Sequence, residues 1–259
     1  MKKYYLTLFF LLGFSSFAHA FSVEHNFKVE LGVFDASRTK FTYEILPQSY
    51  NVHSVVKTNG FFDTVYPFKA HYATTGKISG KKIITTSYKY NSETRFSQRT
   101  RELIYDQNGN PIYRINTKNN KTKKRKIEQQ KKNEGTTDLQ TVIAKLALQY
   151  NRTKKCAARM EVFDGKRRFA TIFKDEGKED LPKSEFSPFS GKAHKCSMYI
   201  DRLASEGDDL LWELTSEQPV NFWILQDSKT NIPFIAKIEI ENTPLGKMDV
   251  YTQSIKIKE

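Results

Sequence analysis

Redox and metal motifs are missing from this chain of 259 residues. It has two cysteines, Cys156 and Cys196, no Cys-x-x-C, and five histidines, none of which reads as standing at ligand spacing from another or from a cysteine. A structural zinc and dithiol chemistry therefore have no local support, and neither a metal nor a cofactor is expected. A Gly-x-Ser-x-Gly elbow, a phosphate loop and a dinucleotide fingerprint are absent as well. Beyond residue 20 no apolar run is long enough for a membrane-spanning helix. Neighbouring acids do occur, at Asp208-Asp209 and Glu176–Asp180. They sit in polar, loop-like sequence where carboxylates are ordinarily solvated, and no catalytic residue is assigned.

What the chain does have begins at its first residues. "MKKYYLTLFFLLGFSSFAHA" joins Lys2 and Lys3 to an apolar stretch and an Ala-His-Ala end. That order is a secretory signal, with cleavage expected after Ala20 and a periplasmic address for residues 21–259.

The formal charge of +13 is unevenly spread. Residues 118–133, "KNNKTKKRKIEQQKKN", carry eight cations and one acid, Glu128. With Lys2 and Lys3 also set aside, the remainder of the chain is nearly neutral. The run has one apolar residue, Ile127, and no aromatic ring on which a base could stack. Nucleic acid is therefore not expected as a partner. The run reads as a mobile basic insertion or hairpin tip, with Lys123, Lys124, Arg125 and Lys126 available to an anionic envelope surface. In an oxidising compartment Cys156 and Cys196 are expected to form a disulfide, worth roughly 4 kcal/mol in the chain-entropy model.

Alternation dominates the rest. "FIAKIEIE" (234–241) sets Phe234, Ala236, Ile238 and Ile240 on one face against Lys237, Glu239 and Glu241 on the other, a half-buried strand. "VNFWILQ" (220–226) is apolar on both faces and reads as a central strand. Further strands are expected at 23–33, 38–46, 51–58, 68–78, 81–90, 94–105, 111–117, 159–164, 167–174, 195–201 and 247–257. Asp164-Gly165 is expected as a two-residue primed hairpin turn. Segment 175–194 reads as a long loop. One helix is expected over 137–150, where Leu139, Val142, Ile143, Leu146, Ala147 and Tyr150 form a single apolar stripe, with Thr137 and Gln140 as a capping box. The prediction is one mainly β domain: a large curved antiparallel sheet, half-barrel or barrel-like, covered by one amphipathic helix.

The succession "GFFDTVYPFKAHYATTGKISG" (60–80), "ELIYDQNGNP" (102–111), Asp138 at a helix start, "MEVFDGKRRFATIF" (160–173), the second cysteine and "FWILQDSKTNIPFIAKIEI" (222–240) resembles the bacterial envelope family called domain of unknown function 3108. The resemblance runs along nearly all of residues 21–259. It implies an envelope protein and carries over no catalytic residue. Its strands with one covering helix are similar in pattern to the curved sheets of lipoprotein carriers.

Aromatic residues make up 13% of the chain, and five fall within residues 60–72. They are either plain core or the wall of a pocket. In the pocket reading, Phe61, Phe62, Tyr66, Phe68 and Tyr72 face Val142, Leu146, Phe222 and Ile224. Arg95, Ser97, Arg99 and Arg101 alternate onto one face, expected to be solvated. The leading expectation is a non-catalytic periplasmic protein that binds an apolar or amphipathic, lipid-like molecule. The alternatives are an envelope assembly factor acting through protein contacts and a cell-wall-active hydrolase.

Overall fold

The computed structural model describes residues 20–80, 82–127, 135–165, 167–205 and 218–258. Residues 1–19, Asp208-Asp209 and the second half of the basic run, 128–133, lie outside the described residues. The first half of the chain forms β1 (Phe21–Leu31), β2 (Phe34–Ile45), β3 (Ser49–Thr58), α1 (Gly60–Val65), β4 (Phe68–Ser79), β5 (Lys82–Thr94), β6 (Gln98–Tyr105), β7 (Pro111–Lys118) and β8 (Lys121–Lys126). The second half forms α2 (Leu139–Thr153), β9 (Ala158–Phe163), β10 (Arg167–Leu181), β11 (Gly191–Ser205), β12 (Val220–Gln226), β13 (Pro233–Thr243) and β14 (Gly246–Lys258).

All 14 strands belong to one antiparallel sheet ordered β8-β7-β6-β5-β4-β3-β2-β1-β14-β13-β12-β11-β10-β9. The two halves meet in the middle, where β1 pairs with β14 from Ser22↔Lys258 to Leu31↔Met248. Alternation fixes the faces: Phe21, Val23, His25 and Phe27 of β1 are buried, and the residues between them are less so.

So long a sheet accumulates twist and curls. Its ends approach each other without joining in a ladder. Arg101 of β6 donates to the Asp164 carbonyl at 3.3 Å, and Arg114 of β7 donates to that of Gly165. Thr137 bridges to β9, its N–H donating to the Glu161 carbonyl while its own carbonyl accepts from Phe163, both at 2.9 Å. The result is barrel-like but open in hydrogen bonding between β8 and β9.

Helix α2 lies inside the curl. Val142, Leu146 and Tyr150 pack against Val162, Phe173, Ile200 and Phe222. Ala144, off that stripe, packs with Tyr43, Tyr50 and Val52. The helix is thus enclosed on more than the one face its stripe shows. Its cap is Asp138, not the expected Thr137–Gln140 box; the Asp138 carboxylate accepts from the N–H groups of Gln140 and Thr141.

Four local expectations are corrected. A second helix joins the one expected: Gly60 at φ +54° starts the six-residue α1, which carries Phe61 and Phe62. The basic run is not simply a mobile insertion, because residues 121–126 form the edge strand β8, paired with β7 through a turn in which Asn119 and Asn120 both take positive φ. All six side chains of β8 are exposed, which explains a strand without an apolar signal. Residues 175–181 and 191–194 continue β10 and β11 instead of forming a loop. At the β9–β10 turn only Gly165 takes positive φ among the described residues; Phe163 pairs with Arg168 and the Asp164 N–H donates to the Arg167 carbonyl at 3.1 Å, so Asp164 continues the ladder and Asp164-Gly165 is not the two-residue loop.

Candidate functional site

Between α2 and the inner face of the sheet lies a slot of about 50 Å³. One wall is His25 and Phe27 of β1 with Phe41 and Tyr43 of β2; another is Phe222 and Ile224 of β12 with Pro233, Phe234 and Ile235 of β13. Ile143, Leu146, Ala147 and Tyr150 of α2 form the cover. The lining is almost wholly apolar, because inward positions of five elements converge there.

His25 is the exception. It is 2% exposed, and its Nδ1 has no hydrogen-bond partner among the described residues. Its neighbours are rings: Phe27 stacks on it at 5.2 Å, with Tyr43 at 6.0 Å and Phe234 at 6.4 Å. Burial among them pushes the imidazole down to about 4, so it is neutral at ordinary pH. Tyr43, by contrast, donates to the Pro233 carbonyl at 3.0 Å. An unpaired polar atom at this depth is uncommon and marks the slot chemically.

At the end of the slot a chain of polar groups runs away from it. The Tyr150 hydroxyl meets His194 Nδ1 at 3.0 Å, and His194 Nε2 meets Asp175 Oδ1 at 2.7 Å. Asp175 Oδ2 accepts from the Cys156 N–H at 3.1 Å. Burial pushes the Tyr150 hydroxyl up to about 12, with Asp175 adding to the shift. Burial alone would raise Asp175, but the hydrogen bonds from His194 and Cys156 outweigh it and hold the carboxyl low. Cys156 and Cys196 are disulfide-bonded, with Cα atoms 6.3 Å apart. His194 has no metal-ligand spacing in the sequence, yet one of its ring nitrogens and the sulfurs of Cys156 and Cys196 lie within 4.8 Å of one another. The sulfurs are committed to each other, so they present no thiolate to a metal.

The sequence-derived pocket residues separate. Leu146, Phe222 and Ile224 line the slot, and Val142 is buried in the adjoining cluster. Phe61 and Tyr66 are exposed and Phe62 is half-buried beside Phe34, all at the outer end of the sheet. Phe68 is half-buried at the start of β4. Tyr72 packs with Tyr90 in a separate tyrosine cluster with Tyr88 and Tyr105. None of these five lines the slot: Phe61, Phe62 and Tyr66 lie in or beside α1, and Phe68 and Tyr72 belong to β4, a strand that contributes no wall to it. His25, Phe27, Phe41 and Tyr43 were missed, although the β1 alternation places His25 on the buried face. Lys123, Lys124, Arg125 and Lys126 are exposed on β8, with Lys124 Nζ 4.3 Å above the Tyr113 ring. Arg101 is turned toward the sheet seam rather than out to solvent.

A larger trough, about 350 Å³, lies under the 182–189 loop. Lys237 in it is neutralised by Glu239 and Asp249. Three acids of β10 are also engaged: Asp180 pairs with Lys192, Glu179 accepts from Trp223 Nε1, and Glu176 accepts from Ser197.

The fold defines a mainly β, barrel-like protein with its helix on the inside. The chain belongs to the family described as Protein of unknown function (DUF3108), whose model matches residues 24–250. Among solved structures it is similar to the beta-barrel-like protein of domain of unknown function DUF1849 from Brucella abortus. The identity is 10%, the coverage 93% of this chain and 98% of that one, and the TM-score 0.51, a likeness of fold alone. No curated protein matches.

Proposed function

We propose that the protein is a non-catalytic envelope protein of the periplasm, in which one domain over residues 21–259 follows a cleaved signal. In this reading it holds the apolar part of an amphipathic, lipid-like molecule in the slot under α2. The observation that carries the reading is His25: a neutral imidazole that lines an otherwise apolar slot, its Nδ1 without a partner among the described residues, suits a ligand with one polar group among methylenes. About 50 Å³ accommodates the end of a chain, not a whole lipid. A longer ligand requires α2 to move. The disulfide is consistent with export.

The test is titration with an environment-sensitive fatty-acid probe. Saturable binding to the native protein is expected, weakened at least tenfold by Ala147→Leu, which fills the slot without adding charge, by roughly the worth of a few displaced methylenes. Absence of saturable binding to the native protein refutes the reading. The assembly-factor alternative then stands, favoured by the apolar side chains exposed at one end of the sheet.

A further inference from the structure

Nine large apolar side chains are exposed among the described residues, and seven of them fall at one end of the sheet. Strand direction puts the β1–β2, β3–β4, β5–β6, β7–β8 and β13–β14 connections at that end. Val33 (90% exposed) and Phe34 belong to the first, Phe61, Val65 and Tyr66 to the second, Phe96 (81%) to the third and Leu245 (63%) to the last. The described turns at the opposite end, including 46–48, 106–110 and 227–232, have none.

Contacts make these tips one continuous rim. The Gly32 N–H donates to the Lys247 carbonyl, tying the β1–β2 and β13–β14 turns together. Phe34 stacks on Phe61 at 5.5 Å, so the β1–β2 turn touches α1. Arg95 reaches the Thr64 carbonyl at 3.4 Å, drawing the β5–β6 turn against the same helix. Asn119 and Gln98 exchange hydrogen bonds of 3.1 and 3.0 Å, bringing the β7–β8 turn alongside.

That last turn supplies charge. Lys118, Lys121 and Lys123, with Arg95 and Arg99 of the neighbouring turn and strand, have no ion-pair partner among the described residues. Of the acids along the rim, Asp63 is bonded by Thr58, Asp35 pairs with Arg38 and Glu241 with Lys247, while Glu93 lies beside the β5–β6 turn. The apolar tips line no described cavity; they project from separate turns. A protein helix needs a groove, and the free edge beside the rim, β8, carries exposed cations and no apolar side chain, whereas separate apolar tips beside cations suit a flat, deformable apolar phase under anionic headgroups.

We propose that this rim docks the protein on the surface of an anionic bilayer. Phe96, Val33 and Leu245 enter the acyl boundary, and the cations beside the β7–β8 turn meet phosphate headgroups. The proposal needs neither the slot nor a ligand within it.

The experiment is co-sedimentation of the purified protein with vesicles of phosphatidylcholine alone or mixed with phosphatidylglycerol. Binding is expected to the mixed vesicles and to weaken with salt. Phe96→Ser with Leu245→Ser should weaken it roughly tenfold or more without moving the melting temperature, since two apolar side chains are withdrawn from lipid and neither is packed in the fold. Lys121→Ser with Lys123→Ser should weaken binding to the mixed vesicles only. A tryptophan at position 96 (Phe96→Trp) should be quenched by brominated lipid upon binding. Ala147→Leu should bind vesicles like the native protein, which separates failure of the slot from failure of the rim. The proposal is overturned if the mixed vesicles are not bound, if the serine variants bind unchanged, or if tryptophan at 96 is not quenched. It is also overturned if the native protein dimerises through these side chains instead, so that Phe96→Ser with Leu245→Ser yields monomers and vesicles are ignored.

Discussion

Tyr50 lies directly over Gly76, its partner across the β3–β4 ladder: a Cβ placed on Gly76 would stand 2.2 Å from the Tyr50 ring and 2.4 Å from the Ile84 carbonyl. The missing side chain lets the ring lie flat and carry its hydroxyl to Thr141 on α2, at 2.8 Å, and to Thr85 at 3.2 Å. A bare strand position thus helps hold the helix inside the curl. Gly76→Ala should cost at least about 2 kcal/mol in urea unfolding, because a fully buried ring and a backbone carbonyl must both shift. On a Tyr50→Ala background the cost should shrink but not vanish, since the carbonyl contact remains. Simple additivity would show that the ring does not set the penalty.

The sequence made the strands legible wherever one face is dry, as in Phe234–Ile240, and the helix where Val142, Leu146 and Tyr150 recur at helical spacing. It hid β8 and residues 175–181, because strands exposed on both faces have no apolar period to read. It hid α1, which carries Phe61 and Phe62, since one and a half helical turns are too short to show a 3.6-residue pattern beside such strand-forming residues. The slot was half legible. Leu146, Phe222 and Ile224 follow from periodicity, but their opposing wall comes from β1 and β2, nearly 200 residues from β12. That pairing arises from the β1–β14 junction, which no local pattern encodes. His194 with Tyr150 and Asp175 is likewise a purely spatial grouping.

His25 should make stability fall in mild acid. Its folded value of about 4 lies below the usual 6.5, so between these limits the unfolded chain binds more protons and stability rises with pH. The full effect is on the order of 3 kcal/mol, lost as pH falls from about 6.5 toward 4. Other groups titrate too, so the check is a difference: urea midpoints of the native protein and His25→Phe across this range. The native protein should lose ground against the variant as pH falls. Parallel curves would mean that the imidazole accepts a proton within the fold at little cost.

The Cys156–Cys196 bond closes a loop over a sequence separation of 40 and ties the segment after α2 to β11. Changing both cysteines to alanine should cost roughly 3–4 kcal/mol by the chain-entropy estimate, read as a lowered urea midpoint. Thiol labelling of the unfolded, unreduced native protein should find no free thiol. Replacing Lys123, Lys124, Arg125 and Lys126 with serine should, in contrast, change stability by less than about 1 kcal/mol, because these side chains are exposed on an edge strand. A larger loss would show that β8 is integral to the sheet's stability.

Asp138 anchors the other end of α2, and both its charge state and its geometry can be tested. Its carboxylate accepts from the N–H groups of Gln140 and Thr141, from the hydroxyls of Thr141 (2.5 Å) and Thr74 (2.9 Å), and more distantly from Thr85 (3.4 Å). Thr74 belongs to β4 and Thr85 to β5, so one side chain both caps the helix and fastens it to the sheet. Asp138→Ala should cost about 3 kcal/mol or more, combining a lost cap with several buried donors left without an acceptor. Asp138→Asn keeps one carbonyl oxygen and should cost less. Full burial pushes the Asp138 carboxyl up, against the hydrogen bonds that pull it down. A raised folded value means that this group's contribution is largest in acid and declines as pH rises from the unfolded value toward the folded one. The deficit of Asp138→Asn against the native protein should therefore shrink as pH rises through that window. A deficit that grows with pH would mean that the fold selects the ionised carboxylate, with the hydrogen bonds from Thr141 and Thr74 outweighing its burial.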